Sequence, residues 1–356
     1  MSSCRRRHVI ASTIACSLAL SNFAIAQVTL TPPAADKSSQ PKATKPKAPA
    51  TPKAQTGSSA SKKTTPQATS TLPAGSDPSN PDPAFAAYQL GLYLTAFKIA
   101  TERAEQRGDV KAMTLLGELY ANGFGLKRDE AKAAEWYKLA ADRGDREAMF
   151  GLAMLKIAGR GVPVAREEGA KLLASSAKLG KAEAAYNLGL LYLEGQVFPQ
   201  DVKRASELLR QAADAGNAEA QYALATFYKE GRGVEKNLTE AARLLRAAAM
   251  VDNVDAQVEY AIALFNGTGT PRDVPTALSL LNRAARKNSP IAQNRLARIY
   301  INGQGTPVDK LSGFKWHLIA KTSGASDPDL DAQFSALPAD ERKKAEDAAR
   351  KWFGGK

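Results

Sequence analysis

The sequence predicts an all-α fold, a right-handed α-α superhelix of stacked helical hairpins preceded by a disordered tail. Three observations predict it. A 36-residue unit runs six times without a gap, beginning at Asp109, Asp145, Lys181, Asn217, Asn253 and Ser289 and closing at Gly324. Apolar residues inside each unit recur at the spacing of a helix face. Glycines and cap-type residues fall at the same points of each copy, as a solenoid of one repeated supersecondary unit requires.

The first helix of each unit comes first. Position four is alanine in every copy: Ala112, Ala148, Ala184, Ala220, Ala256 and Ala292. Positions four, eight and twelve (Ala112, Leu116, Tyr120 in the first copy) lie on one face. Position nine is always Gly or Ala, small enough for a neighbouring helix to approach closely. Position fifteen is always glycine, from Gly123 to Gly303, where a left-handed residue ends the helix. A second glycine follows two residues later in five copies, and Val197 replaces it in the third. The second helix then starts behind a cap at position twenty-one: Asp129, Asp201, Asn237, Asp273 or Asp309, with Ala165 the exception. Position one is mostly a cap type too, closing the cycle.

The motif A-x-x-x-L-G-x-x-Y at 112–120, the G-x-G at Gly123 and Gly125, and A-x-x-W-Y-x-x-A-A at 133–141 resemble the Sel-one-like repeat family, longer-looped relatives of tetratricopeptide repeats. The last copy repeats the pattern with Ala292, Leu296, Ala297, Tyr300, Gly303, Gly305 and Trp316. The resemblance covers residues 109–324. The third copy departs at Gly195 to Pro199, so its loop is expected to differ in shape. The resemblance implies a protein that assembles complexes and binds peptide segments in a concave groove formed by the first helices.

The N-terminus reads as an export signal over residues 1–26: Arg5 to Arg7, an apolar stretch from Val9 to about Leu20, and the small-x-small site Ala24-Ile25-Ala26. Lipidation at Cys16 and twin-arginine export are alternative readings of the same segment. Both cysteines, Cys4 and Cys16, precede the cleavage site, so the processed chain is expected to lack thiols. Residues 27–82 are rich in Pro, Ala, Lys, Ser and Thr and read as a disordered linker. They hold seven lysines against three aspartates, a composition that suits either a solvated spacer or contact with an anionic polymer such as peptidoglycan. Roughly half of the net charge of +13 therefore lies ahead of the repeats, and the remainder is mildly basic. Export and the lack of a basic-aromatic motif argue against nucleic acid. No later stretch is apolar for long enough to span a bilayer.

Atypical ends are expected on both sides of the array. Residues 83–108 read as a capping hairpin like an ordinary tetratricopeptide repeat. Residues 325–356 read as a short helix with Phe334 inward, then a longer one whose Trp352 and Phe353 pack on the sixth repeat.

No catalytic site, metal site or cofactor is expected. His317 is the single histidine after the signal and stands where four other copies carry leucine and one tyrosine, so it reads as a packing residue. The G-x-G pairs follow a helix and lack the Gly-Lys-Ser/Thr of a phosphate loop. Glu194 and Glu230 share one repeat position and read as a polar rim in preference to an acid–base pair.

The other side of the first helix is the candidate site. Positions six, ten and thirteen lie roughly 180 to 240 degrees from position four. There the chain carries Phe150, Met154 and Ile157, then Tyr186, Leu190 and Leu193, then Tyr222, Thr226 and Lys229. A helix apolar on both sides must be covered on both. Either the next repeat covers this side, or it lines a partner-binding groove with Phe150, Met154, Tyr186, Leu190, Tyr222 and Lys229. The function expected is an exported, periplasmic, non-catalytic adaptor for another envelope protein, such as a sensor domain or cell-wall enzyme. A glycan-binding or cell-wall-modifying protein, or a secreted factor binding a host protein, are the alternatives.

Overall fold

The computed structural model describes residues 82–354. The expected export signal, both cysteines and the lysine-rich linker as far as residue 81 lie outside the described residues. Those described form sixteen α-helices and no strand. A hairpin of α1 (Pro83–Gln89) and α2 (Tyr93–Arg107) opens the array. The repeats follow as pairs: α3 (Val110–Asn122) with α4 (Glu130–Ala141), α5 (Arg146–Ala158) with α6 (Arg166–Lys178), and α7 (Ala182–Glu194) with α8 (Val202–Asp214). Then come α9 (Ala218–Glu230) with α10 (Leu238–Met250), α11 (Val254–Asn266) with α12 (Val274–Arg286), and α13 (Pro290–Asn302) with α14 (Lys310–Thr322). Two helices close it, α15 (Pro328–Ser335) and α16 (Ala339–Gly354). From α1 to α14 each helix packs chiefly on the ones before and after it in sequence, the signature of a solenoid, and α16 packs back on α14.

Local chemistry sets each boundary. Asp145, Asn217 and Asn253 accept hydrogen bonds at 2.8–2.9 Å from the backbone N–H three residues on, satisfying donors the helix leaves open. Ala165, the exception at the second cap, provides no side-chain acceptor; Glu167 and Glu168 stand in the first turn instead, favourable to the helix dipole. All six first helices end on a left-handed glycine. The loop returns through one bond, position twenty-one N–H to position twelve carbonyl, as in Asp129 to Tyr120 at 2.9 Å.

The third copy keeps that return bond, Asp201 N–H to Tyr192 O at 3.1 Å. Its loop differs as expected at one residue. Val197 does not adopt the positive φ of the glycines it replaces, and Phe198 stacks on Tyr192 with centroids 4.9 Å apart. A further left-handed site, absent from the sequence reading, ends every unit: Gly144, Gly180, Gly216 and Gly324, with Asp252 (φ 71°) and Asn288 (φ 64°) in the same place. Acidic and amide side chains are the non-glycine residues that tolerate this conformation best.

The core runs between the two helices of each pair and on into the next. The position-four alanines are wholly or almost wholly buried, and Leu116, Leu209 and Leu296 are buried beside them. Each such leucine contributes about 1.5–3 kcal/mol over an exposed one. The small ninth residue is a steric requirement in the first copy: a Cβ on Gly117 would lie 2.5 Å from the Tyr137 ring.

The ends are clasped by ions. Asp82 caps α1 and accepts from Arg103, whose Nε also reaches Asp109 at 2.9 Å, tying the hairpin to the first repeat. At the other end Asp327 is almost fully buried, caps α15 and accepts from Nε and Nη2 of Arg298, each at 2.7 Å. Trp352 meets Trp316 edge-on at 5.1 Å, and Phe334 packs on Phe314. Phe353 departs from expectation: it is 46% exposed. One turn of helix cannot aim two adjacent side chains at the same neighbour, and Trp352 takes the inward direction.

Candidate binding face

Position three of one first helix reaches the next first helix, so these helices share a continuous side. Lys111 Nζ lies 2.7 Å from Asp145, and Lys181 Nζ lies 2.6 Å from Glu147 and 3.2 Å from Glu183. Asn253 donates to Glu219 at 3.0 Å. Lys229 of α9 bridges to Glu259 of α11 at 2.7 Å.

The six candidate residues fall on this side with unequal exposure. Tyr186 and Leu190 are 8% and 2% exposed and belong to the central core. Phe150, Met154 and Tyr222 are half-buried against that core. Lys229 is exposed in its ion pair. The two alternatives thus divide by residue. Tyr186 and Leu190 are taken up by the core, while Phe150, Met154 and Tyr222 stay half-buried, as does Ile262 of the fifth repeat.

A row of carboxylates flanks these side chains, and the sequence reading missed it. Position three carries Glu147, Glu183, Glu219 and Asp255, and the signal was legible in the repeat frame. Glu183 sits beside Lys181; burial opposes its ionisation, but backbone and Lys181 contacts hold its carboxyl below the usual range. Glu219 is half-buried and, among the described residues, accepts from the Asn253 amide alone, and burial pushes its carboxyl up. Asp255 is reachable by solvent, yet crowding by protein atoms, reinforced by Glu259, raises it as well. Burial also raises Glu194 against the opposing pull of Arg166. The Tyr186 hydroxyl, buried and facing the Glu219 charge, is pushed up to about 12.

No reactive constellation is assembled from these groups. Among the described residues no three His, Cys, Asp or Glu side chains are placed to hold a metal. His317 is fully buried with Nε2 2.9 Å from Asp331, inside the C-terminal clasp and away from this face. Glu230 is exposed, one repeat from the half-buried Glu194. No helix among the described residues is long and apolar enough to cross a membrane.

Comparison with known proteins follows the same lines. A protective antigen of uropathogenic Escherichia coli strains, described as displaying an SLR fold, aligns over 76% of this chain at 28% identity and a TM-score of 0.65. The chain spans 60% of that protein's length. A Sel1 repeat protein from Oxalobacter formigenes aligns over 67% of this chain and 98% of its own at 27% identity and a TM-score of 0.60. A comparison with curated proteins finds no match. The Sel1 repeat model matches six consecutive segments, 110–145, 146–181, 182–217, 218–253, 254–289 and 290–324, in phase with the unit read from the sequence. Such repeats generally mediate protein–protein interaction on a non-catalytic scaffold. With more than half of its length in matched repeats that fold as stacked helical hairpins, this chain belongs to the Sel1 repeat family.

Proposed function

We propose that this protein is an exported, non-catalytic adaptor of the bacterial cell envelope, which holds a peptide segment of another envelope protein along its first-helix face. One observation carries the reading. Phe150, Met154, Tyr222 and Ile262 are half-buried on first helices that also carry Glu219, Glu230 and Asp255, carboxylates with no cationic partner among the described residues. Aromatic anchors with a polar rim are what protein-binding surfaces use. The family supports scaffolding, and the Arg5–Ala26 segment supports export. The same carboxylates disfavour an anionic glycan polymer as the ligand of this face.

The test is site-specific photo-crosslinking in vivo from position 222, with position 207 on the second-helix side as control. The expected outcome is one envelope protein captured from 222 and absent from 207. Phe150→Ala with Tyr222→Ala should weaken capture by roughly tenfold or more, since two anchors at about 1–2 kcal/mol each are lost. Equal capture from both positions would refute the assignment of the face.

A further inference from the structure

We propose that the chain's own lysine-rich segment, residues 37–63, docks on the first-helix face of the third to fifth repeats and competes there with outside ligands. The proposal shares a face with the function above but does not need the outside partner to exist.

Charge complementarity is the first ground. On α7, α9 and α11 the face presents Glu183, Glu194, Glu219, Glu230, Asp255 and Glu259. The described cations that pair with this set are Lys181, which serves Glu183, and Lys229, which serves Glu259. Of the remaining carboxylates, Glu230 and Asp255 are exposed, while Glu194 and Glu219 are half-buried, where water screens them less and a cation gains more than at an open surface. Segment 37–63 holds Lys37, Lys42, Lys45, Lys47, Lys53, Lys62 and Lys63 and no acidic residue. Each partner has what the other lacks.

Reach agrees as well. Twenty-eight residues lie between Lys53 and Asp82, where the described fold begins. Such a linker spans roughly 30 Å as a coil and about 90 Å fully extended. The α9 face lies four helical pairs along the stack, on the order of 40 Å at a helix diameter of roughly 10 Å per pair. Tethering over that span gives an effective concentration on the order of millimolar, enough for individually weak ion pairs to hold.

The experiment is zero-length carbodiimide crosslinking of the full chain, which joins lysine amines directly to carboxylates, read by mass spectrometry on a mixture of isotopically light and heavy copies. The expected result is intramolecular links from Lys42–Lys53 concentrated on Glu183, Glu219, Asp255 and Glu259. Links to Glu183 and Glu259 should fall about fivefold in Glu219→Gln/Asp255→Asn, although both keep their own carboxylates, and should fade in 1 M salt. Links spread evenly over exposed second-helix carboxylates such as Glu207 and Asp214 would overturn the proposal, and so would links that join light to heavy copies. Capture of an outside protein from position 222 reads separately, so loss of one result leaves the other standing. If both hold, changing the seven lysines to glutamine should raise that capture severalfold.

Discussion

The two glycines of each loop look interchangeable in the sequence and do different work in the fold. The first ends a helix: Gly267 is left-handed, and a Cβ there would meet Arg272 at an ordinary 3.4 Å. The second admits a neighbour: a Cβ on Gly269 would fall 2.0 Å from the carbonyl oxygen of Leu238, in the preceding repeat. Gly267→Ala should therefore cost about 1 kcal/mol, the left-handed penalty alone. Gly269→Ala should cost at least about 3 kcal/mol, because backbone must move. Paired denaturant titrations check this, and equal costs would refute the division of labour. The requirement for glycine was legible in the sequence; its second reason was not, because the atom it avoids lies 31 residues away. Tyr186 shows the same limit. Its angular position put it on the outward side of its helix, but only packing shows that the core takes up its ring. Substitution of Tyr186 by alanine is thus a core truncation costing about 3 kcal/mol or more, unsuited to testing binding.

Among the elements, α15 is a short helix of eight residues, and the Asp327 clasp anchors its start. The buried carboxylate caps the helix and binds Arg298 and Asn294. Burial opposes its ionisation, but the contacts from Asn294, Arg298 and the Leu330 N–H prevail and hold it below its ordinary pKa. A depressed folded value means that its stabilisation is complete above the ordinary value near 3.8 and is lost as pH falls through the lower, folded one. Asp327→Ala should destabilise the C-terminal cap by roughly 1–3 kcal/mol at pH 7, the cap bond plus part of the ion pair, since Arg298 can rehydrate. The difference from the parent protein should shrink as pH falls below the ordinary value near 3.8. Melts at pH 7 and pH 3 test both statements. The helices themselves were legible because caps and glycines are local. The clasp was not, since Arg298 and Asp327 sit 29 residues apart in a region where the repeat pattern ends.

For the whole molecule, the repeat frame made the architecture readable at once, while the face chemistry it also contained was masked by the other charges on the helices. Apolar periodicity stands out against a polar background, whereas one acid per repeat on a helix rich in charge does not. The raised carboxyls of Glu219, Asp255 and Glu194 act on stability in the opposite sense to Asp327. Their folded forms bind protons more readily than the unfolded chain, so acidification through their range favours folding. Depressed Asp109, Glu130 and Asp145 then lose their contribution at lower pH. Melting temperature should stay flat or rise slightly from pH 7 to about pH 5 and drop below about pH 4. A steady decline from pH 7 would show that the raised group does not matter.

The edge-on tryptophan pair at the C-terminal cap has a practical side. The chain's third tryptophan, Trp136, belongs to the first repeat, so the middle of the stack carries no indole. Emission from this protein is a report from its two extremities. In a linear array whose units unfold with their own free energies, a fluorescence melt should precede the loss of helical circular dichroism if the caps fray before the centre. Coincident curves would mean that six units and their ends behave as a single cooperative body.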